Sequence, residues 1–228
     1  MPTLVVTTPA AVRNLTTVAA VNLDLGLTNG THDAWIASVL PRVSARVETY
    51  CERVFARETV TETWRDIRGQ AQTDTRPAIE RLGGTKRPSL RLSRTPTSGT
   101  PTVTLTDGED TEVLETDEYS LDASTGVLLR LNDSGHSIYW PSSRIDVAYT
   151  GGYLLPDQES RDLPEDLEGA VIDMVKLRFY ARLRDPSLKS ETVDLMGSQT
   201  FWMPGSGDTD IPETIRAVLD GYRRVSVA

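Results

Sequence analysis

The sequence predicts an α+β fold: a helical body of about four helices interrupted by a small antiparallel β domain. Three observations predict it. Two long stretches, 33–55 and 163–184, repeat apolar residues at helical spacing, and a shorter one follows at 210–224. The block between the first two is rich in Thr and Val in alternating order, broken by Gly, Asn and Asp turns. The chain has 228 residues and a single cysteine, so it is long enough to bury a core without any intramolecular disulfide. On this reading residues 1–56 and 151–228 form the helical body, and residues 57–150 are the inserted β-rich subdomain.

In chain order, residues 8–26 read as a short helix. Thr8 caps it, Pro9 occupies its first turn, and Val12, Leu15, Val18, Val21 and Leu23 recur at roughly helical spacing. Gly26 and Asn29-Gly30 end it. A long helix then opens at Thr31 or Asp33 and runs to about Phe55, with Trp35, Ile36, Val39, Leu40, Val43, Val47, Tyr50, Cys51 and Val54 on its apolar side. Pro41 lies inside the pattern and is expected to kink the helix or mark a false start, because it removes a hydrogen bond and crowds the preceding turn. Cys51 sits on the apolar side, where a thiol acts as a small core residue and not as a nucleophile.

Strands are expected at 58–67, 89–94, 101–106, 112–119, 127–131 and 144–150. Asp107-Gly108 reads as a tight hairpin turn, and Ser124-Thr125-Gly126 and Asn132-Asp133-Ser134-Gly135 as further turns. Residues 70–88 are polar, with Gly83-Gly84 and the basic Arg76, Arg81, Lys86 and Arg87, and read as a loop. In the last strand Ile145, Val147 and Tyr149 point one way and Asp146 and Ala148 the other. Gly151-Gly152 ends it.

Pro164 begins the next helix, with Glu165, Asp166 and Glu168 in its first turn. This helix carries two apolar stripes. Leu167, Val171, Met174 and Arg178 follow one, flanked by Ala170, Leu177 and Ala181, and Ile172, Val175 and Phe179 form the other. Two stripes fit either a central core helix or one shared between the core and an oligomer contact. Asp185-Pro186 stops it. Residues 187–210 read as a loop or a strand-like arm bearing an apolar knob, Phe201-Trp202-Met203, which either plugs the chain's own core or docks on a partner. The last helix repeats the opening grammar, Asp210-Ile-Pro-Glu-Thr-Ile215 beside Asp162-Leu-Pro-Glu-Asp-Leu167. Its apolar face is Ile215, Val218, Leu219 and Tyr222, and Arg216, Arg223 and Arg224 complement its dipole.

Composition and motifs point away from several functions. A net charge of −9 opposes tight binding to nucleic acid. No stretch approaches a membrane span, the N-terminus lacks signal-peptide features, and the Asn-x-Ser/Thr triplets at Asn14, Asn29 and Asn132 are read as chance. His32, His136 and Cys51 show no metal-ligand spacing, and no cofactor is expected. Gly83-Gly84-Thr85-Lys86 lacks the order of a phosphate loop, Asp107-Gly108-Glu109-Asp110 is not a calcium loop, and Gly205-Ser206-Gly207 is not a nucleophile elbow. The chain is therefore not expected to be an enzyme.

The order of segments carries more. Val47-Glu48-Thr49-Tyr50-Cys51-Glu52-Arg53-Val54-Phe55 closes the long helix. Val147-Ala148-Tyr149-Thr150-Gly151-Gly152-Tyr153, Leu163-Pro164-Glu165-Asp166-Leu167 and Phe179-Tyr180-Ala181-Arg182 follow, then Ile211-Pro212, Leu219 and Tyr222-Arg223-Arg224. This ordered set resembles the head–tail connector (adaptor) proteins of tailed phages, in the longer form with a β insert that is also found in gene-transfer agents. Pro41 and the polar 70–88 loop depart from the pattern. The resemblance implies a structural virion protein, made in the host cytoplasm and placed at the head–tail interface. It implies a homo-oligomeric ring, commonly a dodecamer, under the portal protein, which extends a channel through which double-stranded DNA passes and docks the stopper or tail-side connector. No membrane is involved. It also implies weak self-association until the portal is bound, and an interface built from Phe201, Trp202, Met203, Ile215, Leu219, Tyr222, Arg223 and Arg224. The alternatives are a stopper or tail-joining protein, or a ligand-binding or hydrolytic domain with a β insert.

Overall fold

Alternating and helical patterns segregate into two compact units in the computed structural model, which describes residues 2–65, 89–140, 144–182, 190–193, 197–200 and 211–224. One unit comprises Met1–Ala11 and Phe55–Tyr153, and the other Val12–Val54 and Leu154–Ala228. The expected α+β class is observed: four helices and antiparallel sheets among the described residues. The expected loop at 70–88 lies outside the described residues, as does most of 183–210.

The first unit holds a five-stranded sheet in the order β1-β2-β9-β4-β5, with β1 Thr3–Thr8, β2 Glu58–Trp64, β9 Arg144–Gly151, β4 Thr97–Asp107 and β5 Asp110–Val113. A second sheet has β3 Leu90–Arg91, β7 Val127–Leu131 and β6 Tyr119–Asp122 in that order, with β8 Ser137–Ile138 on β7. The expected strand at 112–119 is two strands, β5 and β6, separated by an irregular turn. Asp107-Gly108 makes the expected hairpin: Asp107 pairs with Asp110, and Gly108 has φ 66°. One buried cluster fills the unit, including Val60, Trp64, Leu92, Val103, Leu128, Trp140, Ile145, Val147 and Tyr149. The alternation read in β9 is the observed one, with Ile145, Val147 and Tyr149 all buried.

The N-terminal segment differs from expectation. Thr8 is not a helix cap; it ends β1, which pairs with β2 from Thr3 opposite Thr63 to Thr8 opposite Thr59. Met1–Ala11 thus goes with the sheet and not with the helices. The helix begins only at Val18, where the Thr17 hydroxyl accepts from the Ala20 N–H at 3.1 Å.

Gly151-Gly152 does more than end β9. A Cβ on Gly151 would lie 2.4 Å from the Arg94 carbonyl oxygen. At Gly152, φ is +106° and a Cβ would meet the Ala56 oxygen at 2.4 Å. Three backbone segments meet here at contact distance, two of them sealed by Tyr153 N–H to Phe55 O at 2.7 Å and Arg57 N–H to Tyr153 O at 2.9 Å. Glycine supplies both the missing side chain and the left-handed angle.

The second unit contains α1 Val18–Leu25, α2 Asp33–Cys51, α3 Glu165–Ala181 and α4 Glu213–Asp220. Pro41 does not mark a false start: α2 runs continuously through it. Pro41 and Ala37 are both exposed, so the carbonyl that loses its partner can turn to water. α3 packs against α1, α2 and α4, which accounts for its two apolar stripes. Leu167, Ala170, Val171, Met174, Val175 and Phe179 are buried, and Arg178 is exposed. A ribbon of β10 Ser190–Val193 and β11 Gly197–Thr200 forms a separate two-stranded sheet in the stretch read as a loop or arm.

Candidate interaction surfaces

The end of α2 meets α4 and the residues after it through Leu219, Arg223 and Arg224, three of the residues nominated for an interface. Ile215 and Leu219 are 5% and 0% exposed and anchor α4 in the unit's own core. Their burial follows from the single apolar stripe of α4, which is used up against α2 and α3. Beyond the end of α4, Arg223 is exposed and Tyr222 and Arg224 are half-buried. The Tyr222 hydroxyl donates to Asp166 Oδ1 at 2.5 Å, and the Arg224 N–H donates to the Cys51 carbonyl at 2.9 Å. Arg223 Nη2 lies 3.4 Å from Glu52 Oε1, and its guanidinium stands 5.7 Å from the centre of the Tyr50 ring. Tyr50 donates to Asp220 Oδ1 at 2.5 Å. Burial and the neighbouring Asp220 carboxylate raise the Tyr50 pKa above its ordinary value. Together Tyr50, Arg216, Asp220 and Arg223 line an open concavity of about 430 Å³. Phe201, Trp202 and Met203 lie outside the described residues.

Cys51 sits under this surface. Its side chain is fully buried, its Sγ is 3.6 Å from the Leu219 carbonyl, and burial pushes the thiol up to about 11. Burial thus disfavours the thiolate, the form that acts as nucleophile or metal ligand.

A second outward patch forms where α2 begins and α3 ends. Phe179 meets His32 and Trp35 edge-on at centroid distances of 5.1 and 5.6 Å. Arg182 lies over the Trp35 ring at 4.8 Å, with Nη2 3.3 Å from His32 Nδ1. Tyr180 is 46% exposed beside them. Arg182 thus presents a cation backed by aromatic faces.

Both units bury carboxylates, one in the helical unit and two in the sheet unit among the described residues. In the helical unit Glu168, 5% exposed, accepts from the Thr16 hydroxyl at 3.0 Å and pairs with Arg161 at 2.8 Å. In the sheet unit Glu58 and Glu62 point inward from β2, 1% and 0% exposed. Glu62 accepts from the Ser93 N–H at 2.6 Å and from the Tyr149 hydroxyl. That hydroxyl accepts from the Arg94 N–H at 2.9 Å, and Arg94 Nε reaches Glu58 Oε2 at 3.1 Å. Burial first, then the Glu62 charge, raise the Tyr149 pKa. Sequence reasoning assigned these residues nothing. The available signal was the period-two register, which puts Glu58 and Glu62 on the same face as Val60 and Trp64.

No group of three or more His, Cys, Asp or Glu able to hold a metal occurs among the described residues. No described helix is long and apolar enough to cross a membrane.

With this arrangement in view, comparison with known proteins decides the family. The profile of the head completion protein family matches residues 14–225. The chain belongs to the head completion protein family. This membership bears out the resemblance to tailed-phage head–tail connectors. No curated protein matches the chain in sequence. Among solved structures, a chain from the "Virion of native gene transfer agent (GTA) particle" is 16% identical with a TM-score of 0.55, covering 99% of this chain and 97% of that one. Chains from the "Neck of empty GTA particle computed with C6 symmetry" and the "Neck of native GTA particle computed with C12 symmetry" give TM-scores of 0.52 and 0.51, also at 16% identity and 97% of their own length. At that identity the similarity is one of fold. This head completion protein therefore shares both units, over nearly their full length, with those chains.

Proposed function

We propose that this head completion protein is the head–tail connector, or adaptor, of a tailed-phage-like particle. In that role it forms a ring beneath the portal protein, extends the channel through which double-stranded DNA passes, and docks the stopper or tail-side connector. The role is structural, and no catalytic step is assigned to it. The chain would be made in the host cytoplasm and reside at the head–tail interface.

The observation that carries this reading is the family match over residues 14–225, which spans both units. Supporting it, two of the structures with the same fold are particle necks, one described with twelve-fold symmetry, and a dodecamer is the proposed ring. A closed ring needs two different surfaces on each copy. The helical unit offers two candidates: the Tyr50–Arg223 concavity and the Arg182 aromatic patch. Tyr222, Arg223 and Arg224 are proposed as outward contacts, with Phe201, Trp202 and Met203 as the accompanying apolar knob. Ile215 and Leu219 hold α4 in its unit's own core. The net charge of −9 suits a channel wall past which DNA slides without being gripped.

The test is location. Particles carrying an affinity-tagged copy, labelled with gold and imaged, should show gold at the head–tail junction. Gold distributed over the capsid shell or the distal tail would sink the reading.

A further inference from the structure

The two edges of the five-stranded sheet are unlike. The β5 edge is four residues long and carries Asp110 and Glu112, which guard it against stray pairing. The β1 edge is six residues, Thr3-Leu-Val-Val-Thr-Thr, without a charge. Among the described residues β1 pairs only with β2. Alternate residues of an antiparallel strand direct N–H and C=O away from the existing neighbour, so β1 offers an open row of backbone groups. Its side chains are unfinished as well. Val5 is 58% exposed, and Leu4 and Val6, which pack against the core, are only half-buried. An uncharged, β-branched edge over a thinning core is what an added strand would complete.

The chain also carries a piece of sheet in need of a neighbour. The β10–β11 ribbon is a two-stranded sheet with no third strand among the described residues. Two strands alone are marginally stable in water. Its eight residues hold one charge, Glu191, so nothing electrostatic opposes an uncharged edge.

We propose that the β1 edge is completed by the β10–β11 ribbon of a second copy of this chain. The partner is a second copy because edge and ribbon are different surfaces, and pairing them leaves one copy with a free ribbon and the other with a free edge. Such a contact repeats in one direction until rotation closes it. Pairing β1 with β1 would instead stop at two copies. The proposal rests on the connector reading, to which it adds a strand-pairing contact between subunits.

The test uses assembled particles. A producer co-expresses a Val5→Cys chain with a Gln199→Cys or Thr192→Cys chain, and purified particles are treated with a short bis-maleimide. A linked two-chain species is expected in one of the mixtures and its loss when either partner is omitted. The wild-type chain controls for Cys51. Particles that contain the chain at the neck but give no linked species in either mixture overturn the proposal and leave the connector reading intact. A linked species from Val5→Cys alone overturns it in favour of β1-to-β1 pairing. Absence of the chain from particles removes the connector reading and this proposal with it. As a second measurement, Val5→Lys places a charge on an exposed position. The isolated variant should unfold at the wild-type temperature yet be lost from particles; incorporation at the wild-type level overturns the proposal.

Discussion

Raising the pH should loosen the attachment of α4 to α2 through one atom, the Cys51 sulfur. The side chain is 0% exposed and faces the Leu219 carbonyl at 3.6 Å. In the unfolded chain the thiol ionises near its ordinary value of 9.0, whereas burial in the folded chain moves it up to about 11. A folded-state value above the unfolded one means the stabilisation is fully present below about pH 9. It is lost as pH rises through about 11, because the unfolded chain gives up its proton first. The gap corresponds to about 2.7 kcal/mol at its full extent. Urea unfolding followed by helical ellipticity, on the wild type and on Cys51→Ala, isolates the contribution, since every other titrating group is common to both. The stability advantage of the wild type should shrink by about 2 kcal/mol or more between pH 8 and pH 11. An advantage that stays constant over that range would refute the argument, and would mean that the thiolate is solvated in the folded state.

Further outcomes follow from the buried polar groups and the glycines. Tyr149→Phe removes one of the two hydrogen bonds that Glu62 accepts among the described residues and the acceptor of the Arg94 N–H, so it should cost about 2–4 kcal/mol in urea unfolding read by tryptophan fluorescence. Glu168→Ala strips both Thr16 and Arg161 of their partner and should cost about 2–3 kcal/mol by the same titration read at 222 nm, with Glu168→Gln costing less. Gly152→Ala, which drives a Cβ to 2.4 Å from the Ala56 oxygen, should cost more than about 3 kcal/mol and be visible as loss of soluble protein. Gly169→Ala on α3 meets nothing within 4 Å and should instead raise stability by about 0.5–1 kcal/mol in thermal unfolding.

What could be read from the sequence, and what could not, divides along physical lines. α2 and α3 were legible because their apolar stripes are long and their partners lie in the same unit. The β4–β5 hairpin was legible because a two-residue turn is a local event and Asp107-Gly108 announces it. β1 was not, since its only described partner, β2, starts some fifty residues later, while Thr8-Pro9 imitates the start of a helix. The inward Glu58 and Glu62 were missed because a carboxylate is assigned to the surface by default, and it takes the three-dimensional placement of groups such as Tyr149, Ser93 and Arg94 to make burial tolerable. For the nominated interface, the apolar face of α4 was legible but its direction was not. Periodicity says that Ile215 and Leu219 share a face, but not whether that face meets the chain's own helices or another chain.

The central claim is that this head completion protein joins head to tail. Electron microscopy of particles from a producer in which its gene is disrupted tests that claim most directly. DNA-filled or recently emptied heads lying beside separate, complete tails are the predicted result, and normally joined particles would contradict it.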